Sequence, residues 1–177
     1  PGRRALNERM QRLGRNYVLA MTDVDHFKKF NDTHGHDVGD QVLRLVASKL
    51  SKVTGGGRAY RYGGEEFALV FAGKTIEECM PHLEAVREVI ANYNIQLRNQ
   101  DNRPHDDQQG RQRRGASAAS SVSVTISIGV SERLLDHRSP DEVLKSADQA
   151  LYSAKGAGRN CVMAYGFQAK RGAVRTA

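Results

Sequence analysis

No tryptophan occurs among the 177 residues, and aromatic side chains of every kind amount to 6%. Cysteine is nearly as scarce. The two present, Cys79 and Cys161, match neither a metal-ligand spacing nor a disulfide framework, so they read as reduced thiols of a cytoplasmic protein. Long apolar runs are missing: none approaches the ~18 residues of a membrane span, and no stretch has the layout of a signal peptide. The chain starts at Pro1 rather than Met. It therefore reads as an excised piece whose parent carries any membrane anchor or sensory module ahead of it.

Hydrophobic residues (39%) and charged ones (27%) stand in the ordinary balance of a globular protein, and the length suits one domain with a real core. The net charge of +7 suits an anionic partner. Charge alone is better explained by a solvated basic surface. The basic residues are scattered, apart from Lys170, Arg171 and Arg175 in the tail and a cluster at Arg111, Arg113 and Arg114.

Periodicity divides the chain. "YVLAMTD" at 17–23 is an apolar run ending in an acid, the pattern of a buried strand. After the polar "NDTHGHDVGD", Val42, Leu43, Val46, Ala47 and Leu50 recur at helical spacing, and Gly55-Gly56-Gly57 stops that helix. "RAYRY" and "EFALVFA" flank Gly63-Gly64, a hairpin signal. Thr75 and Glu78 have the spacing of a capping box. Leu83, Val86, Val89, Ile90 and Tyr93 form an apolar face, with Pro81 expected in the first turn of that helix. Residues 96–120 are polar and read as a long surface loop or disordered insert. "SVSVTISIGV" alternates as one strand, Ser139-Pro140 opens a helix, and "NCVMAY" supplies a last strand. The order is β-α-β-β-α-β followed by α-β. Its first six elements match the ferredoxin-like split βαβ pattern, an α+β fold with a mainly antiparallel sheet flanked by helices. In that arrangement the end of the first strand lies beside the hairpin turn, and Asp23 comes close to Glu65.

That proximity bears on "RYGGEEF", where two glycines are followed by two acids. "TDVDHFKKFND" adds Asp23 and Asp25 at a strand end. Neighbouring carboxylates raise one another's pKa unless a cation neutralises them. Carboxylates from two adjacent strand ends make an oxygen-rich cage suited to Mg²⁺, which typically arrives with a substrate phosphate and supports phosphoryl or nucleotidyl transfer. Either pair alone is as well explained by turn capping and solvated glutamates. Two clusters that meet in space weaken that explanation.

Gly63-Gly64-Glu65-Glu66-Phe67 resembles the signature of the GGDEF family, the diguanylate cyclase catalytic domains, in its GGEEF form. "DVDHFKKFNDTHGHDVGD", "VTISIGV" and "ADQALYSAKGAGRN" stand in the family's order and at its approximate spacing, from Arg3 to about Tyr165. The resemblance implies a domain over 1–167 with a nucleotidyl cyclase palm-type fold, followed by a basic tail at 168–177. It implies condensation of two GTP molecules into cyclic di-GMP with release of two pyrophosphates, across an antiparallel homodimer. A regulatory or sensory domain is expected N-terminal to the chain.

Carried over position by position, the resemblance makes Asp23, Glu65 and the Val24 carbonyl the ligands of Mg²⁺, with Mn²⁺ as the alternative ion. Glu65 is the candidate acceptor of the 3′-hydroxyl proton, and Glu66 an assisting neighbour. Asp25 is assigned to the turn ahead of a second metal. Backbone N–H groups at His26 and Phe27, with Lys28, would face the triphosphate. Lys155 and Arg159, four apart and read as sharing a helical face, would bind its terminal phosphate; without the resemblance they would read as complements to a helix dipole. Asn31 and Asp40 would read guanine, because a carboxylate accepts from guanine N1–H and the 2-amino group while adenine offers no such donors there. His36 would shape that pocket.

Many family members carry an Arg-x-x-Asp product-binding site shortly before the signature. Here its positions are Thr54 and Gly57, so no inhibition through that site is expected. Two alternatives compete with that reading. A catalytically degenerate nucleotide-binding relative is disfavoured by the intact GGEEF and Asp23. A nucleic-acid module of the RNA-recognition type needs exposed aromatics on two central strands. "YVLAMTD" and "FALVFA" lack that pattern, so no nucleic-acid partner is expected.

Overall fold

A computed structural model describes residues 1–96 and 121–166. Its elements are α1 (Arg3–Met10), β1 (Tyr17–Val24), α2 (Phe27–His34), α3 (His36–Leu50), β2 (Arg58–Arg61), β3 (Glu66–Ala72), α4 (Ile76–Ala91), β4 (Ile95–Gln96), β5 (Ser121–Val122), β6 (Ile126–Glu132), α5 (Pro140–Gly156) and β7 (Val162–Ala164). The main sheet runs β2-β3-β1-β6-β7, and β4-β5 form a separate ribbon. β1 is antiparallel to β3 and β6, β2 is antiparallel to β3, and β7 is parallel to β6. The ferredoxin-like expectation is met, with β1 central.

The apolar run of β1 follows from its position: all eight residues are buried. Val18, Ala20 and Val24 face a cluster containing Val42, Val46 and Leu50 of α3 and Cys79, Leu83 and Ile90 of α4. Tyr17, Leu19 and Met21 face the opposite cluster, containing Leu6 and Met10 of α1 and Val143, Ala147 and Leu151 of α5. Alternation along a strand thus serves two helical layers at once. Each fully buried Leu, Val or Phe contributes about 1.5–3 kcal/mol, which holds the strand carrying Asp23 rigidly. α5 sits so close to β6 that a Cβ on Gly129 would overlap the backbone of Ala147 and Leu151. That approach brings the C-terminal end of α5 to the end of β1.

Several expectations need correction. The polar stretch after β1 is already helical: α2 and α3 are separated only by Gly35, at φ 82°. α1 is a helix that periodicity did not disclose. The Thr75–Glu78 capping box is present on both sides, with Thr75 N–H donating to Glu78 at 3.0 Å. α4 therefore begins there, and Pro81 lies inside it. Pro81 and Glu77 are exposed, so water can take the carbonyl that Pro81 leaves without its N–H partner. "SVSVTISIGV" is two strands, because Asp25 N–H takes the Thr125 carbonyl at 2.9 Å and draws the chain into the loop beyond β1. Most of the 96–120 insert and the whole 168–177 tail lie outside the described residues. No helix among the described residues is long and apolar enough to cross a membrane. Both cysteines are free, and burial pushes the Cys79 thiol up to about 12.

Candidate active site

Asp23 pairs in register with Glu66 on one side and Ser127 on the other. The Val24 N–H donates to the Glu65 carbonyl at 3.3 Å, fastening the hairpin turn to the end of β1. The turn has its own clamp, since the Arg61 guanidinium donates to the Gly63 carbonyl at 3.2 Å and the Gly64 carbonyl at 2.7 Å. Neither glycine takes a left-handed backbone. The 62–65 connection is longer than the two-residue turns that select Gly-Gly, and it closes with Tyr62 and Gly63 N–H groups on the Glu66 carbonyl.

The two signature acids are separated by this geometry. Glu65 is close enough to Asp23 and Lys155 to feel both charges. The Glu66 carboxylate folds back over Gly63, where an added Cβ would lie 2.7 Å from Oε2. Asp23 is 6% exposed, and Lys155 Nζ reaches its Oδ2 at 3.0 Å. Burial pushes the Asp23 carboxyl above the usual range, Lys155 pulls it back, and Asp25 adds to the rise. Burial is likewise the largest cause raising Glu65, with the Asp23 charge next. Two carboxyls held above their ordinary pKa by burial and by neighbouring carboxylates (Asp25 beside Asp23, Asp23 beside Glu65) form a site suited to a cation. Among the described residues no three His, Cys, Asp or Glu side chains converge. A cation at Asp23 and Glu65 would therefore complete its shell with main-chain, substrate and water oxygens. Those hard donors fit Mg²⁺, which keeps several waters and few carboxylates.

Asp25 takes the structural role. It is buried and accepts from Thr125 Oγ1 at 2.7 Å, Ser127 Oγ at 2.6 Å and the Asn160 N–H at 3.1 Å. His26 is left-handed at φ 56°, ψ 26°, and α2 starts at Phe27 without a side-chain cap on its first N–H groups. An αL residue beside helical ones turns successive N–H groups to one side, the makings of an anion nest. The Phe27 side chain is buried, so only its backbone is available, while Lys28 is exposed.

Lys155 and Arg159 do not share a helical face. α5 ends at Gly156, and Arg159 lies in the turn beyond at φ 68°, followed by Asn160 at φ 45°. Such left-handed non-glycine residues cost about 1 kcal/mol or more each and persist where surroundings over-determine them. The Arg159 charge is felt at Asp23, whose carboxyl it pulls down after the larger effects of burial, Lys155 and Asp25.

Asn31 has a buried Oδ1 with no hydrogen-bond partner. It faces Gly39 of α3, where a Cβ would collide with that oxygen, and Asp40 is the next residue. Asp40 and His36 are exposed on α3. Sequence reasoning missed Thr125, Ser127, Asn160, Arg61 and Gly39. All lie within or beside stretches singled out, but their partners are set by turns rather than periodicity.

The family model for "Diguanylate cyclase, GGDEF domain" matches residues 3–108 and 107–161. Diguanylate cyclase VdcA of Vibrio cholerae is 38% identical over 151 residues, 85% of this chain and 39% of that protein. The GGDEF domain of DgcB from Caulobacter crescentus, solved in complex with c-di-GMP, is 35% identical with a TM-score of 0.71, covering 93% of this chain and 83% of that one. The active GGEEF domain of a diguanylate cyclase from Vibrio cholerae is 28% identical with a TM-score of 0.68, covering 93% and 92%. The chain belongs to the GGDEF family of diguanylate cyclase domains. It spans half or less of the length of the curated relatives it matches.

Proposed function

We propose that this domain condenses two GTP molecules into cyclic di-GMP and releases two pyrophosphates, as a homodimer in which each domain presents one GTP to the other. The observation that carries the reading is that Lys155 Nζ lies 3.0 Å from Asp23 Oδ2 at the same strand end to which the Val24 N–H ties the Glu65 turn. Acids to hold a cation and cations to hold phosphates converge there.

In this reading Lys155 and Arg159 bind the terminal phosphates, and the uncapped N–H groups after His26, with Lys28, cradle the rest of the triphosphate. Asn31, whose Oδ1 lacks a partner, and Asp40 select guanine, with His36 at the pocket wall. Asp23, Glu65 and the Val24 carbonyl would hold Mg²⁺, or Mn²⁺ in its place. Such an ion supplies positive charge to the phosphate oxygens during transfer. The 3′-oxygen of one GTP forms a bond to the α-phosphorus of the other, and the bond to pyrophosphate breaks. The hydroxyl proton goes to Glu65, whose carboxyl is held above its ordinary pKa by burial and the Asp23 charge. Ligation competes with that role.

The test is incubation with GTP and Mg²⁺, on the domain alone and on an imposed dimer. Cyclic di-GMP is the expected product. A demonstrably dimeric sample that makes none overturns the enzyme reading in favour of a degenerate nucleotide-binding domain.

A further inference from the structure

Arg87 lies on α4, on the sheet face opposite α5, and the catalytic reading gives it no part. Its side chain is only 14% exposed, and all three of its nitrogens are used. Nε donates to Glu84 at 2.6 Å, one terminal nitrogen to Glu88 at 3.3 Å, and the other to Asn160 Oδ1 at 2.8 Å. The two glutamates fix the guanidinium plane, and the remaining donor points out of the helix into the turn after α5.

Asn160 is thereby gripped from two sides. Its side chain is held by α4, and its backbone N–H is held by Asp25 at 3.1 Å. Arg159 stands directly before it, in a left-handed conformation that an arginine seldom adopts. Its backbone N–H bonds the Ala154 carbonyl at 3.0 Å. Arg159 therefore stands between two anchors, the end of α5 and Asn160. The only grip on the Asn160 side chain among the described residues is Arg87.

We propose that Arg87 is a positioning residue, acting through Asn160 to hold the turn that aims Arg159 at the terminal phosphates of GTP. This rests on the phosphate-binding role proposed above for Arg159. It makes α4, which contributes no ligand-binding group, a determinant of triphosphate affinity. A role confined to packing would lower stability and affect all guanine nucleotides alike.

The experiment is calorimetric binding of two ligands with Mg²⁺: a GTP analogue with a methylene between the α- and β-phosphates, and GMP, which lacks the terminal phosphates. Arg87→Met is expected to weaken the analogue about tenfold, the order typical of groups supporting a binding shell, with GMP changed by less than about twofold. Combined with Arg159→Met it should add no further loss. Asn160→Gly tolerates the left-handed backbone and removes the Arg87 contact, while loosening the chain at that one residue. It should reproduce the analogue-specific loss even if Arg87→Met fails to fold. Unchanged analogue affinity in Asn160→Gly, equal losses for both ligands, or additivity with Arg159→Met overturns the proposal. If the unaltered domain binds neither ligand, the reading of the active site itself has failed.

Discussion

Lys155 Nζ lies 3.0 Å from Asp23 Oδ2, so a side chain expected at the terminal phosphate instead neutralises the carboxylate expected at the metal. The two roles are compatible in sequence. A nearly buried carboxylate needs a positive partner. A divalent ion at Asp23 would supply that charge and leave the ammonium free to turn to the phosphates.

Lys155→Met should therefore destabilise the metal-free domain at neutral pH by about 1–2 kcal/mol, a modest figure because a third of the lysine side chain is exposed. Excess Mg²⁺ should recover part of the loss, while the KM for GTP rises. Urea denaturation of both proteins with and without Mg²⁺ checks this. A loss indifferent to Mg²⁺ would show that the contact is packing rather than charge.

The pH dependence follows from the same carboxyls. Asp23 and Glu65 are both raised above the ordinary carboxylate values of 3.8 and 4.5. A raised acid binds its proton more tightly in the folded state, so its contribution to stability is full below the ordinary value and is lost as pH rises through the folded one. The metal-free domain should lose stability from these two groups as pH climbs out of the carboxylate range. Mg²⁺ should flatten that slope, because a bound cation favours the charged forms. Comparing the unfolding midpoint against pH for the native sequence and Asp23→Asn isolates the effect. Identical slopes would contradict the assignment.

How much of this was legible beforehand depends on which force sets each feature. Periodicity reports burial, so β1, β3 and the apolar faces of α3, α4 and α5 could be read, and strand order then brought Asp23 to Glu65. The break at 123–125 could not, because alternation continues through residues whose hydrogen bonds go to Asp25 instead of a ladder. The expectation that Arg159 shares a helical face with Lys155 fails on geometry. Helical spacing was extrapolated past Gly156 into a turn with three consecutive positive-φ residues, Gly158, Arg159 and Asn160. α2 was hidden because "FKKFNDTH" buries only Phe27.

Glu65 and Glu66 should separate under substitution. Glu65→Gln preserves shape and removes a carboxylate that feels the Asp23 charge, so turnover should fall at least ~10²-fold, the scale of losing one electrostatic group at a reacting centre. Glu66→Gln should fall far less, because its carboxylate lies over Gly63. Initial rates of cyclic di-GMP formation by matched dimeric samples decide it. Equal losses would return Glu66 to the reaction.

The segment before the signature gives the last prediction. An Arg-x-x-Asp product site would need a carboxylate at Gly57 and a guanidinium at Thr54. A Cβ at Gly57 would stand 2.5 Å from Phe71 Cε1 and 2.8 Å from Val53 Cγ1, against a phenylalanine that is fully buried. Thr54 is engaged with His82, Oγ1 to Nδ1 at 2.7 Å. Packing here thus opposes the missing site as well as lacking its residues. Turnover by the native sequence should not decline as cyclic di-GMP accumulates to micromolar levels beyond what simple competition at the active site explains. Thr54→Arg with Gly57→Asp should cost about 1–3 kcal/mol from overpacking and should not create tight product binding. A double variant that keeps its urea midpoint and binds cyclic di-GMP near residue 54 would show that Phe71 yields, and that only the two side chains were missing.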